Sequence, residues 1–397
     1  MVRDLVPKGV SELVDASFFD RVHDRRDFHS VKYGMVEKDV IPLWIADMDF
    51  QSPPAVVEAL ERVVRHGIYG YSEGGSDYDQ AIVGWYRTRF GWDIDRASLV
   101  RVPTVLFGMA AALRAMTEPG DSVLIFQPVY HPFARVVQEN GRRLVVSQLA
   151  LRDGRYEMDL EDFRQKVQSQ NVRLCLFCSP HNPVGRVWTY DELEAFAKVC
   201  LENGVAIVSD EIHGDFVYPG YSHIPLETVD KALSECLVTC TAPTKTFNLA
   251  GLQAANLMVP NRNLKRAIVK ECSATGCNDL GLMGLTATIA AYQKGGQWLD
   301  ALLEYLRGNF GLLKASLEGL PISALELEGT YLAWLDCREL GLAWEELDRL
   351  FLGRARVFLH NGRTFGAGGE GFMRINIACP RPVLREALER IGGTISS

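Results

Sequence analysis

The sequence has no long run of uncharged apolar residues; the best candidates, around 102–113 and 280–292, are too short or too rich in glycine to cross a bilayer. It has no long basic run, Arg142-Arg143 being only a pair at a turn, and its formal net charge is −8, so no overall positive field draws it to nucleic acid or anionic lipid. The opening stretch MVRDLVPKGVSELVD is charged throughout and lacks the apolar core of a secretory signal, so a cytoplasmic protein is the expectation. There is no internal repeat, low-complexity tract or flexible linker. The nine cysteines are odd in number and scattered, which argues against a disulfide framework. Cys175 and Cys178 have CxxC spacing but sit in the apolar run VRLCLFC, where residues three apart on a strand face opposite sides; core positions are the expectation, and no metal.

What is present is an α/β alternation over 397 residues, a length that allows one to three domains. The runs at 122–126, 143–147, 173–178, 206–209 and 236–240 are almost continuously apolar, which means strands buried on both faces in a mostly parallel sheet covered by helices. Ser52-Pro53 opens a helix with Pro at its first position, and Gly67 ends it. Thr189 and Glu192 form a capping box, and Gly204 stops the helix that follows. Past Tyr292 the texture changes to a long helical stretch, TYLAWLD, a helix from about Trp344, strands RVFLH and FMRINIA, and a last helix over 382–391. The expected division is a large domain over 49–291 and a smaller α+β domain made of 292–397 with the N-terminal segment 1–48.

Ligands of open α/β sheets bind beyond the carboxyl ends of the strands. Those ends lead to QPVYHPF with Tyr130, SPHNPVG with Asn182, DEIHGD with Asp210 and His213, and TAPTKTFN with Lys245. Four successive loops thus deliver polar or aromatic groups to one edge. Lys245 is the only charged residue between Glu235 and Arg262; desolvation there lowers an amine's pKa and makes it a nucleophile for carbonyls, unless it simply reaches water from an exposed loop. Asp210 can hold a cationic ring nitrogen; a metal site and a helix cap are its other readings. His213 lies close to this carboxylate. Thr104 before VLFGMAAALRAM marks a helix N-terminus able to bind phosphate. Arg374 is the only charge between Glu370 and Arg381; it suits bidentate capture of a carboxylate, or else an ion pair with a buried acid.

SPHNPVGR, VSDEIHGD and TAPTKTFNLAGLQ together resemble the fold-type I pyridoxal-phosphate enzymes of aminotransferase class I/II. PLWIADMDF, HGIYGYS and GGEGFMRINIACP resemble the MalY/PatB-type C–S lyases, or cystathionine β-lyases, within that superfamily. The resemblance runs from about Arg25 to the C-terminus. It implies pyridoxal 5′-phosphate as cofactor, S-substituted L-cysteines as substrates, and a homodimer with shared active sites. Lys245 would be the Schiff-base lysine and the base at Cα, Asp210 the partner of the pyridine nitrogen, and Tyr130 the group stacked on the ring. Asn182 and His213 would lie near the phenolic oxygen. Thr104, Val105, Leu106 and Thr244 would cradle the phosphate, with Tyr71 reaching in from the other subunit. Arg374 would hold the substrate carboxylate, with Asn182, Ala46 and Asp47 lining the same pocket.

Two positions depart from the broader superfamily. Ala242 stands where many relatives carry a phosphate-binding serine, and Gln253 where many carry an arginine; Thr241 is the candidate substitute. The segments ATGCNDLGLMG and His360-Asn361-Gly362 differ from the branch and bear on substrate preference. An aminotransferase using the same residues, and a regulatory protein acting through a protein partner, are the rival readings.

Overall fold

The computed structural model describes residues 15–277 and 279–396. Residues 1–14 of the expected N-terminal segment, and Asn278 of ATGCNDLGLMG, lie outside these. A seven-stranded sheet forms the centre. In chain order its strands are β1 (Leu99–Val102), β2 (Ser122–Gln127), β3 (Arg143–Gln148), β4 (Val172–Cys178), β5 (Ala206–Asp210), β6 (Leu237–Thr241) and β7 (Ala255–Met258). They lie side by side as β1-β7-β6-β5-β4-β2-β3.

The five strands expected from apolar runs are all parallel. Their continuous apolarity has the expected cause. Leu124, Phe126, Cys175, Phe177 and Ile207 point to one face, where the helix Tyr190–Glu202 supplies Leu193 and Phe196. Val123, Ile125, Leu174, Leu176, Cys178 and Val208 point to the other, against Val105, Met109 and Ala112 of the helix Val105–Met116. Phe177 and Phe196 stack with centroids 4.2 Å apart. Cys175 and Cys178 thus fall on opposite faces. Each large side chain so buried contributes about 1.5–3 kcal/mol.

Two strands were not expected. β7 is antiparallel to both β6 and β1. Two reversals restore the direction, so β1 ends at the same edge as the parallel strands. That brings Thr104, just beyond β1, to the edge where Lys245 follows β6.

The helix after Ser52 begins at Pro54, not Pro53, and ends at Gly67 in the left-handed region, φ 71°. The Thr189–Glu192 capping box is formed in both directions. Beyond residue 292, helices Gly296–Leu317 and Arg381–Ile395 pack with a second, antiparallel sheet ordered Ser323–Ala324, Leu332–Asp336, Phe372–Asn376, His360–Asn361. The expected single strand RVFLH is split because it serves two partners. Val357–Phe358 pairs in parallel with Ile41–Pro42, and His360–Asn361 pairs with Met373 and Arg374. Among the described residues no helix is long and apolar enough to cross a membrane, and no group of three or more His, Cys, Asp or Glu could hold a metal ion.

Candidate active site

A cavity of about 360 Å³ opens at the carboxyl edge of the central sheet. Lys245, Asp210, Asn182, His213 and Tyr130 line it, as do Thr104, Val105, Leu106 and Thr244. Arg374 and Ala46 close it from the second sheet and the N-terminal segment. These are eleven of the site residues expected from sequence; three others do not reach the cavity.

Lys245 sits on a one-turn helix, Pro243–Thr246, directly after β6. Its Nζ donates to the Ala46 carbonyl oxygen at 2.6 Å. Burial lowers its pKa to about 8; the Arg374 charge pushes the same way, while Asp47 and Asp210 oppose it. A carbonyl partner supports the amine without fixing a full charge on it, so the neutral, nucleophilic form is within reach near neutral pH.

Asp210 ends β5. Burial raises its pKa to about 7, with Glu211 adding to the rise and the Ile212 amide and Lys245 opposing it. That amide, 3.1 Å away, is its one hydrogen-bond donor among the described residues. A buried carboxyl held this near neutrality is suited to a cationic ring N–H. His213 Nδ1 is buried without a hydrogen-bond partner among the described residues, and burial drops the His213 pKa to about 3. Glu211 has a different part: it accepts from Ser209 Oγ, His223 Nε2 and the Leu226 amide, and so ties the fold together behind the site.

Thr104 caps its helix, its Oγ1 accepting from the Phe107 amide at 3.1 Å. The first-turn amides of Val105 and Leu106 have no partner within the helix and carry its positive end. Thr244 lines the same cavity, and a helix end with a nearby hydroxyl is chemically suited to a phosphate. Gln253 lines the cavity too, so no arginine serves at that position. The residues fit pyridoxal 5′-phosphate: an amine, a ring-nitrogen acceptor, an aromatic face at Tyr130 and an anion-binding helix end share one cavity.

Arg374 is 2% exposed and has no carboxylate within ion-pair distance among the described residues. The reading of a structural ion pair is thereby removed. Its Nη1 donates to Asn182 Oδ1 at 2.8 Å, and its Nη2 to the Trp44 carbonyl oxygen at 2.9 Å and to His360 Nδ1 at 3.2 Å. Nε has no partner. Burial lowers even this guanidinium to about 10. A buried cation surrounded by neutral acceptors is suited to binding an anion.

Thr241, Asp47 and Tyr71 stand elsewhere. Thr241 is fully buried and turns its hydroxyl to Met258 Sδ at 3.6 Å, because strand alternation points it away from the cavity. Asp47 directs its carboxylate to Arg25 at 2.7 Å. Its role is to brace: Arg25 also pairs with Asp49, which holds the fully buried Lys32 at 2.7 Å. Breaking that buried pair would cost about 3–5 kcal/mol. Asn248 adds a clamp, binding the amide and carbonyl of Met48, so Ala46 is held against Lys245. Tyr71 is fully exposed in this chain. Sequence reasoning missed Trp44 and His131 as lining residues; both lie inside segments already singled out, PLWIADMDF and QPVYHPF.

The model of the family described as Aminotransferase class I and II matches residues 38–391. Cystathionine beta-lyase PatB of Bacillus subtilis (strain 168) is 38% identical over 385 residues, spanning 95% of this chain and 100% of its own. Protein MalY of Escherichia coli (strain K12) is 32% identical, spanning 93% and 96%. The crystal structure of cystalysin from Treponema denticola, which contains a pyridoxal 5′-phosphate cofactor, matches with a TM-score of 0.93 and 33% identity, over 95% of this chain and 98% of that one.

Proposed function

The chain belongs to the aminotransferase class I and II family, and on that premise we propose that it is a pyridoxal-phosphate-dependent carbon–sulfur lyase. Its substrates are S-substituted L-cysteines, from which it releases a thiol, pyruvate and ammonia. The observation that carries amino-acid chemistry is the meeting of Lys245 and an acid-free Arg374 in one cavity. The likeness to a cystathionine beta-lyase along nearly its full length supports C–S cleavage in particular.

When bound, the protonated pyridine ring draws off the electron pair released at the substrate's Cα. The chain's own residues do the rest. Arg374 receives the α-carboxylate on its fork, and Asn182, Trp44 and His360 fix the plane of that fork. This sets the Cα–H bond toward Lys245. With its pKa near 8, Nζ takes the proton, and the Ala46 carbonyl gives the resulting ammonium a partner. Asp210 would hold the ring nitrogen in its protonated form, and Tyr130 would supply an aromatic face to the ring. The cradle of Thr104, Val105, Leu106 and Thr244 anchors the phosphate. Tyr71 adds to that anchor from the second subunit of a homodimer, which accounts for a tyrosine left fully exposed on this chain. The setting is cytoplasmic in this reading, in keeping with nine cysteines that are all free thiols.

Transamination would use the same proton abstraction, and the family model gives that rival its weight. The deciding experiment incubates the enzyme with a panel of S-substituted cysteines and no keto acid, measuring pyruvate and free thiol. Release of both in equal amounts is expected. Turnover only when a keto acid is added would establish an aminotransferase instead.

A further inference from the structure

Two imidazoles of the cavity, besides that of His213, have no part in proton abstraction. His131 follows Tyr130, and His360 pairs across the second sheet with Arg374. Their rings lie 5.7 Å apart, inclined at 66°. Trp44 stands 6.0 Å from His360, and Phe365 packs behind it at 4.9 Å. Burial lowers the pKa of both imidazoles, that of His360 to about 3, and the Arg374 charge pushes both the same way. Both rings are therefore neutral at physiological pH. His131 Nδ1 is buried without a hydrogen-bond partner among the described residues, so it can offer one neutral polar contact.

The charge inventory of the lining is short. Asp210, Lys245 and Arg374 are its only Asp, Glu, Lys or Arg among the described residues, and each already has a role. Charges just behind the wall are also engaged: Asp47 with Arg25, and Arg135 with Glu139. Resting on the lyase reading above, we propose that Trp44, His131 and His360, backed by Phe365, receive the sulfur substituent. This wall selects uncharged alkyl or aryl thioethers over substituents carrying an ammonium or a second amino-acid group, as in cystathionine. An ammonium placed here sheds water and meets at most one neutral imidazole acceptor and no carboxylate, with the Arg374 cation close by, which is too little to offset that desolvation. An alkyl or aryl group gains contact with indole and imidazole faces and gives up nothing.

The test compares kcat/KM for pyruvate release within matched pairs: S-ethyl- against S-(2-aminoethyl)-L-cysteine, and S-benzyl-L-cysteine against L-cystathionine. The uncharged member of each pair should lead by about tenfold or more. Dissociation constants measured by calorimetry on the Lys245→Ala protein, which cannot turn over, should follow the same order. His131→Glu supplies the missing acid and should raise the aminoethyl-to-ethyl ratio several-fold. Each ratio is taken within one preparation, so partial misfolding cancels. Pyruvate from all four substrates with equal or reversed ratios would overturn the inference and leave the lyase reading intact. An unchanged ratio in His131→Glu would remove the substituent from this wall. Pyruvate from none of the four would bring down the lyase reading and the inference together.

Discussion

Asn182 Oδ1 accepts a hydrogen bond from Nη1 of Arg374 at 2.8 Å, joining residues 192 positions apart. One comes from the loop after β4 of the central sheet and the other from the second sheet, so this hydrogen bond ties the two sheets together across the cavity.

Arg374→Lys keeps the charge but loses the fork. Removing a charge-assisted hydrogen bond from a desolvated site costs about 2–5 kcal/mol, roughly thirty-fold or more in kcat/KM. The variant should retain the yellow colour of the lysine-linked cofactor, because in the proposed arrangement Arg374 reaches the cofactor only through Asn182. Substrates whose carboxylate is replaced by an amide should show a much smaller defect. A colourless variant, or an unchanged kcat/KM for the free acid, would exclude the role.

Lys245→Ala should lose the lysine-linked absorbance and slow turnover by at least about 10²–10⁴-fold, the range for loss of a positioned acid–base group. The covalent anchor goes with it, so the true loss should lie at the upper end or beyond. Absorbance spectra and pyruvate release check both halves. Retained steady-state activity would show that another group serves.

Asp210→Asn makes opposite predictions for activity and stability. Activity should fall steeply, since an amide cannot keep the ring nitrogen protonated. The cofactor-free protein should become more stable. The folded pKa is raised, to about 7 from 3.8. Stability from the protonated carboxyl is therefore full below about 4 and is lost as pH climbs to about 7. The melting-temperature advantage of Asp210→Asn over the original protein should thus grow between about pH 4 and pH 7 and level off above. An advantage that does not change with pH would mean that Asp210 is not buried as an acid.

Tyr71 serves across a dimer interface in this reading. Mixing inactive Lys245→Ala with impaired Tyr71→Phe subunits should restore part of the activity, because one site of a mixed dimer carries neither change. The assay requires subunit exchange, checked by differential tagging. If exchange occurs and no activity returns, Tyr71 acts within its own subunit.

Much of this was legible in advance, for physical reasons that also set the limit. Strands buried on both faces write themselves as apolar runs, and the loops after them hold Tyr130, Asn182, Asp210 and Lys245. β1 and β7 went unread because each is four residues long and carries a polar residue, Arg101 or Asn256. Asn256 is buried, and its Oδ1 accepts from the Tyr78 hydroxyl at 2.8 Å, a partner that no local pattern announces. Thr241 was misplaced by reasoning from type without parity: as the last residue of β6 it faces away. The His131–His360 contact and the Arg25–Asp47 brace join distant segments, and no spacing rule connects them.

The pairing of Ile41–Pro42 with Val357–Phe358 has a consequence in time. One cavity wall runs from Trp44 to Ala46, and another carries His360 and Arg374, so both come from near the two ends of the chain. During synthesis the first waits, unpaired, until the second has been made. The sheet bearing Lys245 and Asp210 can form well before then, with its amine still open to water. The burial that lowers the Lys245 pKa is therefore complete only when these two segments, far apart in sequence, have met.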